Sequence, residues 1–177
     1  GNISSNASGL PNNNGYATDG QQLFFVYTNG VVADGTHWRL SPQGYYYYGP
    51  FGLLGEYAIS DQRVRQTVGP AASTALKHDG WHRAGKFVLT GEEASFSGVK
   101  PRRNFNPRAG QWGAFELVGR YATLDIDNDA FPIYSNPNAS ASAAQAWAAG
   151  LNWYLNRNVR INASYSHTTF TGGGGAA

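Results

Sequence analysis

Apolar and polar residues alternate along several stretches of this chain, and the alternation is cleanest between Val159 and His167. Every second side chain from Val159 to Tyr165 is apolar, whereas the residues between them, from Arg160 to Ser166, are polar. A period of two residues predicts a β-strand with one apolar and one polar face. Alternation and turn residues together predict about seven strands, at residues 21–28, 36–48, 53–65, 75–90, 112–126, 143–155 and 159–169.

Most of these predicted strands are long, and the connections between them differ in length. Strands of roughly ten residues suit the tilted span of an outer-membrane barrel, whereas strands of globular sheets average ~5 to 6. The turns at 49–52 and 155–158 are short, as periplasmic turns are, and most other connections are long, as outer loops are. Segment 92–111 is an exception, because it is long but falls at the short-turn end. The pattern predicts an all-β, antiparallel transmembrane β-barrel of the outer-membrane porin type.

The organisation predicted from the sequence is a single domain over residues 1–177. Residues 1–20 are rich in Gly, Asn and Ser and predict a loop, and the glycine run within 171–177 predicts a flexible loop. Barrels of this kind have an even number of strands. The odd count therefore predicts an incomplete barrel, with at least one strand after Ala177 and an unknown number before Gly1.

Aromatic residues are concentrated beside the tight turn at residues 49–52, where four consecutive tyrosines end the preceding segment. A membrane barrel carries such residues in girdles at the two lipid–water interfaces. The candidates that fall on the apolar side of the predicted strands are Trp38, Tyr46, Tyr48, Tyr57, Trp153 and Tyr165.

Composition narrows the picture further. Charged residues make up 14% of the chain, well below the ordinary share, which suits a surface facing lipid. Hydrophobic residues make up 41% but form no run of the ~18 to 20 that a membrane-spanning helix requires. The absence of cysteine excludes disulfides and thiolate metal sites. A net charge of +2 is too weak to favour nucleic acid as a partner.

Four stretches together carry a family resemblance: SPQGYYYYGPFGLLGEY, FVLTGEEASFSGVKPRRNFNP, GQWGAFELVGRYATLDID and GLNWYLNRNVRINASYSH. They resemble the C-terminal part of the phosphate-selective porin O and P family, over nearly all of residues 21–170. The resemblance implies a homotrimeric outer-membrane barrel of about sixteen strands, whose basic lumen attracts phosphate or related anions. It also implies that most of the narrow anion-binding constriction is built by an N-terminal part outside this chain.

The polar parity of the strands predicts which side chains face the lumen. Arginine and lysine groups there replace part of the hydration shell of an anion and raise its local concentration, while glutamates temper that field by pairing across strands. For each single residue, an ordinary salt-bridged wall position is the alternative. Arg83 falls on the lipid side, which predicts either an interfacial position or a bulge. The pore-lining candidates are Arg39, Glu56, His82, Lys86, Glu116, Arg120 and Arg160.

The densest basic cluster is Lys100, Arg102, Arg103 and Arg108, in the predicted periplasmic connection. Interleaved prolines and the modest net charge argue against nucleic-acid binding. Two interpretations remain open from the sequence: a turn whose charges line the pore exit, or a solvated loop.

No catalytic site, metal site or cofactor is predicted. His78 and His82 have the spacing of a helical zinc pair, but on a strand four residues span ~13 Å, so they cannot share a metal. Asp125, Asp127 and Asp129 resemble the start of a calcium loop, yet Ala130 stands where glycine is required.

The predicted function is passive diffusion of small anions, such as phosphate or polyphosphate, across the bacterial outer membrane, with lipid, lipopolysaccharide and two further copies of the chain as partners. Two alternatives stay open. One is a soluble all-β carbohydrate-binding module that uses its tryptophans as stacking platforms. The other is a porin-like barrel that serves as a structural or interaction scaffold and conducts nothing.

Overall fold

The computed structural model describes residues 15–18 and 20–173 in full and residues 3–6 by their backbone. These residues form β-strands joined by turns and two single-turn 3-10 helices, at Pro107–Ala109 and Asn128–Ala130. In the part of the chain that the structure describes, no helix is long and apolar enough to cross a bilayer. The strands are β1 (Ile3–Asn6), β2 (Gly15–Ala17), β3 (Leu23–Val26), β4 (Val31–Leu40), β5 (Gln43–Tyr48), β6 (Phe51–Gln66), β7 (Ala72–Val88), β8 (Ala114–Asp125), β9 (Ala143–Tyr154) and β10 (Arg160–Thr171).

One antiparallel sheet contains all of these strands except β2 and β3, which pair with each other. Its order is β1-β4-β6-β7-β8-β9-β10, and β5 pairs with β6 beside β4. Consecutive strands from β6 onward are neighbours, as in an up-and-down barrel wall. Within the described residues the sheet is open, with β1 and β10 at its edges. The predicted all-β, antiparallel fold is confirmed.

The predicted strand at 36–48 is divided into β4 and β5 at Ser41 and Pro42. Proline has no N–H to donate to the ladder, but its carbonyl accepts a hydrogen bond from Tyr57 N at 3.0 Å. The register continues unchanged across the break, because Leu40 pairs with Ile59 and Gln43 pairs with Glu56. The alternation of faces that the sequence predicted is therefore preserved along both strands.

Two predictions for the N-terminal region are wrong. The predicted loop at 1–20 contains β1, which pairs with β4, and β2, which pairs with β3. The predicted wall strand at 21–28 is instead the short strand β3, which lies outside the main sheet. Phe24 and Phe25 point to opposite sides of that strand and both are buried, whereas a wall strand buries neither face so completely. The predicted loop at 171–177 begins with the last residue of β10, and residues 174–177 lie outside the described residues.

The two faces of the sheet differ in chemistry. The face defined by Leu53, Phe87, Leu117 and Tyr165, called the outer face here, is apolar and exposed; Leu53 and Tyr165 are each 62% exposed. Register joins these side chains into rows across β6 to β10. Within the described residues no second sheet covers this face. A sandwich would bury such a face against a partner sheet, so this arrangement argues against a soluble sandwich module.

The opposite face, called the inner face, is covered at both ends by irregular chain. At one end, the β2–β3 hairpin and the connection at 126–142 pack Phe25 and Tyr134 against Leu76 and Val64 of the wall. At the other end, the connection that follows β7 packs Ala94 and Val99 near Val88, Ala114 and Tyr154. The middle of the inner face lies between these two buried clusters.

Candidate pore-lining face

All seven pore-lining candidates lie on the inner face. Register pairs Glu56 with His82, His82 with Ala122, and Lys86 with Val118, and these side chains share one side of β6, β7 and β8. Because side chains alternate along a strand, Glu116 and Arg120 on β8, Arg39 on β4 and Arg160 on β10 fall on the same side. The parity test thus groups the seven residues as the structure does, while their role in permeation stays a prediction.

Two of the arginines on this face are exposed and contact groups that carry no negative charge. Arg39 donates from Nε to His37 Nε2 at 3.1 Å, and the guanidinium of Arg160 lies 5.7 Å from the centre of the Tyr154 ring. Arg120 is also exposed. By contrast, Glu56 lies 3.7 Å from His82 Nδ1 and accepts a hydrogen bond from Ser41. The positive character of the face therefore comes from its arginines.

Lys86 and Glu116 form a buried network instead of an open pair. Glu116 is 1% exposed, and its Oε2 accepts hydrogen bonds from Asn152 Nδ2 at 2.7 Å and Tyr154 OH at 2.9 Å. Lys86 Nζ lies 3.6 Å from Glu116 Oε1 and donates to the carbonyl of Ser95 at 2.7 Å. Glu116 Oε1 has no hydrogen-bond partner, so the positive charge of Lys86 is what stabilises this buried oxygen.

This network holds the connection after β7 against the wall. Ser95 belongs to that connection, and the Lys86 amine also lies 5.2 Å from the ring of Tyr47. The sequence predicted that Glu116 pairs with a neighbouring cation across strands. It did not identify Ser95, Asn152 and Tyr154 as partners, because no local pattern marks them.

At the far end of the inner face, His78 anchors the covering segments. The backbone N–H of Asp127 donates to His78 Nδ1 at 3.1 Å, so the proton of the neutral imidazole is on Nε2, which faces the hydroxyl of Tyr27 at 2.9 Å. Burial raises the pKa of Tyr27, and that of Tyr134, so both phenols stay neutral. His78 and His82 do not act together, and no group of three or more His, Asp or Glu side chains within the described ranges could hold a metal ion.

The six girdle candidates lie on the outer face, although not all at its edges. Tyr48 and Trp153 lie near the short turns, Trp38 and Tyr57 lie toward the opposite end, and Tyr165 lies within β10. Register adds aromatic residues that the sequence did not single out as girdle positions: Phe51, Phe87, Phe115, Trp81, Tyr121 and Trp147.

Beyond Tyr57 and Trp81 the outer face becomes charged, with Asp79, Asp61 and Lys77. The apolar part of β6 and β7 is therefore about nine residues long, the span that a tilted membrane strand needs.

Arg83 is a basic residue on the apolar part of the outer face. Its strand pairs without a register shift on both sides, since Arg83 lies opposite Gly55 and Tyr121. Of the two alternatives that the sequence left open for Arg83, the bulge is therefore absent. The guanidinium lies 4.8 Å from the centre of the Trp81 ring, a cation–π contact suited to the interfacial level of a membrane.

The basic cluster at 100–108 lies at the end of the sheet that carries the short turns. Lys100, Arg102, Arg103 and Arg108 are exposed. The chain around them leaves the inner face after Val99 and reaches Trp153 of the outer face through Phe105. The structure thus brings the cluster to the edge of the sheet at this end, where Phe105 contacts the outer face.

A sheet that exposes an apolar face between aromatic rows and directs its arginines to the other side is the wall of a porin-type β-barrel, with lipid outside and water inside. The chain belongs to the phosphate-selective porin O and P family, whose family model matches residues 20–173.

A curated relative of this chain is also a porin by name. Porin O of Pseudomonas aeruginosa is 27% identical to this chain over 144 residues, which cover 77% of the chain. The chain spans only 30% of the length of that relative, so it corresponds to one part of such a barrel.

Proposed function

We propose that this chain forms part of the wall of a passive outer-membrane channel for small anions, with phosphate among its solutes and with three copies assembled as a trimer. The observation that carries the proposal is the separation of charge between the two faces. Arg39, Arg120 and Arg160 all project to the inner face, whereas Arg83 is the only arginine or lysine that the described residues place on the apolar band of the outer face. Membership of the phosphate-selective porin O and P family supports phosphate as a solute.

Diffusion through such a wall needs no chemical step, only a favourable field. A fixed guanidinium attracts a passing anion by ~1 kcal/mol at 4 Å in water, and by more where low-dielectric walls focus the field. Arg39 and Arg160 contact an imidazole and a phenol ring, so their charges are not cancelled by those partners. Lys86 contributes less, because Glu116 neutralises it.

The proposal is tested by the reversal potential of the complete porin in a planar bilayer under a gradient of potassium chloride. We expect the sign that corresponds to anion selectivity, and added phosphate should reduce the chloride current by competing for the same arginines. A cation-selective potential would rule out the anion channel, and a membrane-inserted protein without conductance would favour the scaffold function.

Removing the three inner-face arginines should weaken this selectivity. In the triple variant R39Q/R120Q/R160Q we expect the permeability ratio of chloride to potassium to fall by about fivefold or more, because ~1 kcal/mol of lost attraction corresponds to about fivefold. The control is R83Q, which removes one arginine charge from the outer face and is compared with each single inner-face variant as well as with the triple variant. A control that changes the ratio as much as the triple variant would contradict the assignment of faces.

A further inference from the structure

The connection between β7 and β8 contains a basic stretch whose position in the fold is unusual. We call residues 100–112 the rim segment. It holds Lys100, Arg102, Arg103 and Arg108, and the sequence has no acidic residue between Glu93 and Glu116. The nearest buried carboxylate, Glu92, is engaged by the hydroxyl of Thr90 and by the backbone N–H of Arg102 at 3.2 Å.

The rim segment crosses from the inner face to the outer face. Just before it, Val99 is buried in the inner-face cluster with Tyr154. Phe105 N then donates to the carbonyl of Leu155, in the turn that follows β9, at 2.7 Å. The ring of Phe105 meets Trp153 edge-on, with centroids 5.2 Å apart, and Trp153 belongs to the outer face.

Several contacts fix the segment on the outside of the rim. Trp153 Nε1 donates to the carbonyl of Trp112 at 2.6 Å, and Phe115 stacks on Trp153 with ring centroids 5.6 Å apart. Asn106 and Gln111 close the tip by two backbone hydrogen bonds, of 2.9 and 3.0 Å. The segment is therefore a docked element that presents its side chains beside the aromatic girdle.

This position combines two features that membranes recognise. Exposed aromatic rings such as that of Trp112, which is 57% exposed, favour the level of the lipid headgroups. Cations at the same level attract anionic headgroups. Within the described residues Lys100, Arg103 and Arg108 take part in no ion pair, whereas Arg102 donates to the carbonyl of Gly91 at 2.6 Å.

We propose that the rim segment is a binding surface for the phosphate groups of anionic phospholipids in the leaflet at the short-turn end of the barrel. The aromatic rings place the segment at the headgroup level. The side chains of Lys100, Arg103 and Arg108 then bind the phosphate groups. This replaces both interpretations of the basic cluster that the sequence left open, the pore exit and the solvated loop. The inference rests on the membrane placement contained in the proposed function, but not on the selectivity of the pore for anions.

The test compares lipid retention by the complete porin and by the variant R103Q/R108Q, which leaves the Arg102 contact to Gly91 intact. The probe is a set of detergent micelles doped with phosphatidylglycerol or with phosphatidylcholine, and bound lipid is counted by native mass spectrometry. We expect preference for phosphatidylglycerol in the parent, weakened by salt, and an affinity lower by about fivefold for each removed charge. The pore variant R39Q/R120Q/R160Q should keep the preference.

The other outcomes separate this inference from its competitors. Unchanged phosphatidylglycerol retention in R103Q/R108Q would overturn it. If retention is unchanged but the permeability ratio is altered, the inference is also overturned and the cations belong to the pore exit. If retention is unchanged but the trimer is lost, the inference is overturned and the cations contact a second copy of the chain. A parent that lacks anion selectivity but keeps the lipid preference would defeat the proposed function and leave this inference standing.

Discussion

Replacing Lys86 by methionine should destabilise the folded porin by about 3–5 kcal/mol, the usual cost of leaving one partner of a buried pair uncompensated. Glu116 is 1% exposed and would be left without the ammonium group that lies 3.6 Å from its Oε1. The substitution also removes the hydrogen bond from Lys86 to Ser95 and so loosens the connection after β7. Urea unfolding of the complete porin from lipid vesicles measures the loss.

The double variant K86M/E116Q should recover most of this loss. A glutamine at position 116 keeps an oxygen that accepts from Asn152 and Tyr154, and it carries no charge that needs Lys86. The matched control is K77M, on the exposed outer face beyond the apolar band, where a change within about 0.5 kcal/mol is expected. If K86M and K77M unfold alike, the buried network has no energetic role.

Replacing Gly113 by alanine is the second change with a large expected effect. Gly113 has a φ of +75°, and a Cβ there would lie less than 3.0 Å from the carbonyl oxygen of Tyr154, closer than real Cβ atoms approach. The strained backbone alone costs about 1–3 kcal/mol, and the clash adds to it unless the rim segment shifts. We expect a lower unfolding midpoint and greater exposure of the Trp153 indole to solvent. Both are measured by tryptophan fluorescence.

Gly110 supplies the comparison for this effect. Its φ is +66°, so alanine at position 110 meets a similar backbone cost, but nothing lies within 4 Å of the Cβ it would add. The difference between G113A and G110A therefore isolates the contact with Tyr154. Equal destabilisation in the two variants would show that the chain at Gly113 is not held tightly against β9.

Alternation within strands was enough to predict the faces of the sheet. Side-chain direction on a strand is set by parity alone, and the break at Pro42 preserves that parity because the register does not shift there. Arg160 and Tyr165 were therefore assigned to opposite faces correctly, although they lie five residues apart on one strand. The same parity predicts that Arg83 lies on the outer face, where its guanidinium is 4.8 Å from the centre of the Trp81 ring.

The N-terminal errors have a physical cause in the local sequence. Phe24 and Phe25 are adjacent apolar residues, and a short apolar run does not distinguish a wall strand from a covering strand buried on both sides. The strand β1 was not predicted for the opposite reason. Its sequence ISSN has a single apolar residue and therefore no alternation of apolar and polar side chains. Its place in the sheet comes from pairing with β4.

The contacts of the rim segment and of Lys86 could not be predicted, for a different reason. They join residues that are distant in sequence, such as Glu116 with Tyr154 and Phe105 with Leu155, and they depend on the register of β8 on β9. Irregular chain such as residues 89–113 has no periodicity from which its path can be derived.

The length of β6 has a consequence for the solute. Sixteen residues in that strand extend about 54 Å, or roughly 38 Å along the membrane normal at a tilt near 45°. The apolar band of such a barrel is only about 25 Å tall, so β6 extends roughly 13 Å beyond that band along the membrane normal. In the channel that we propose, a solute would therefore pass inner-face side chains over a path longer than the apolar layer of the membrane.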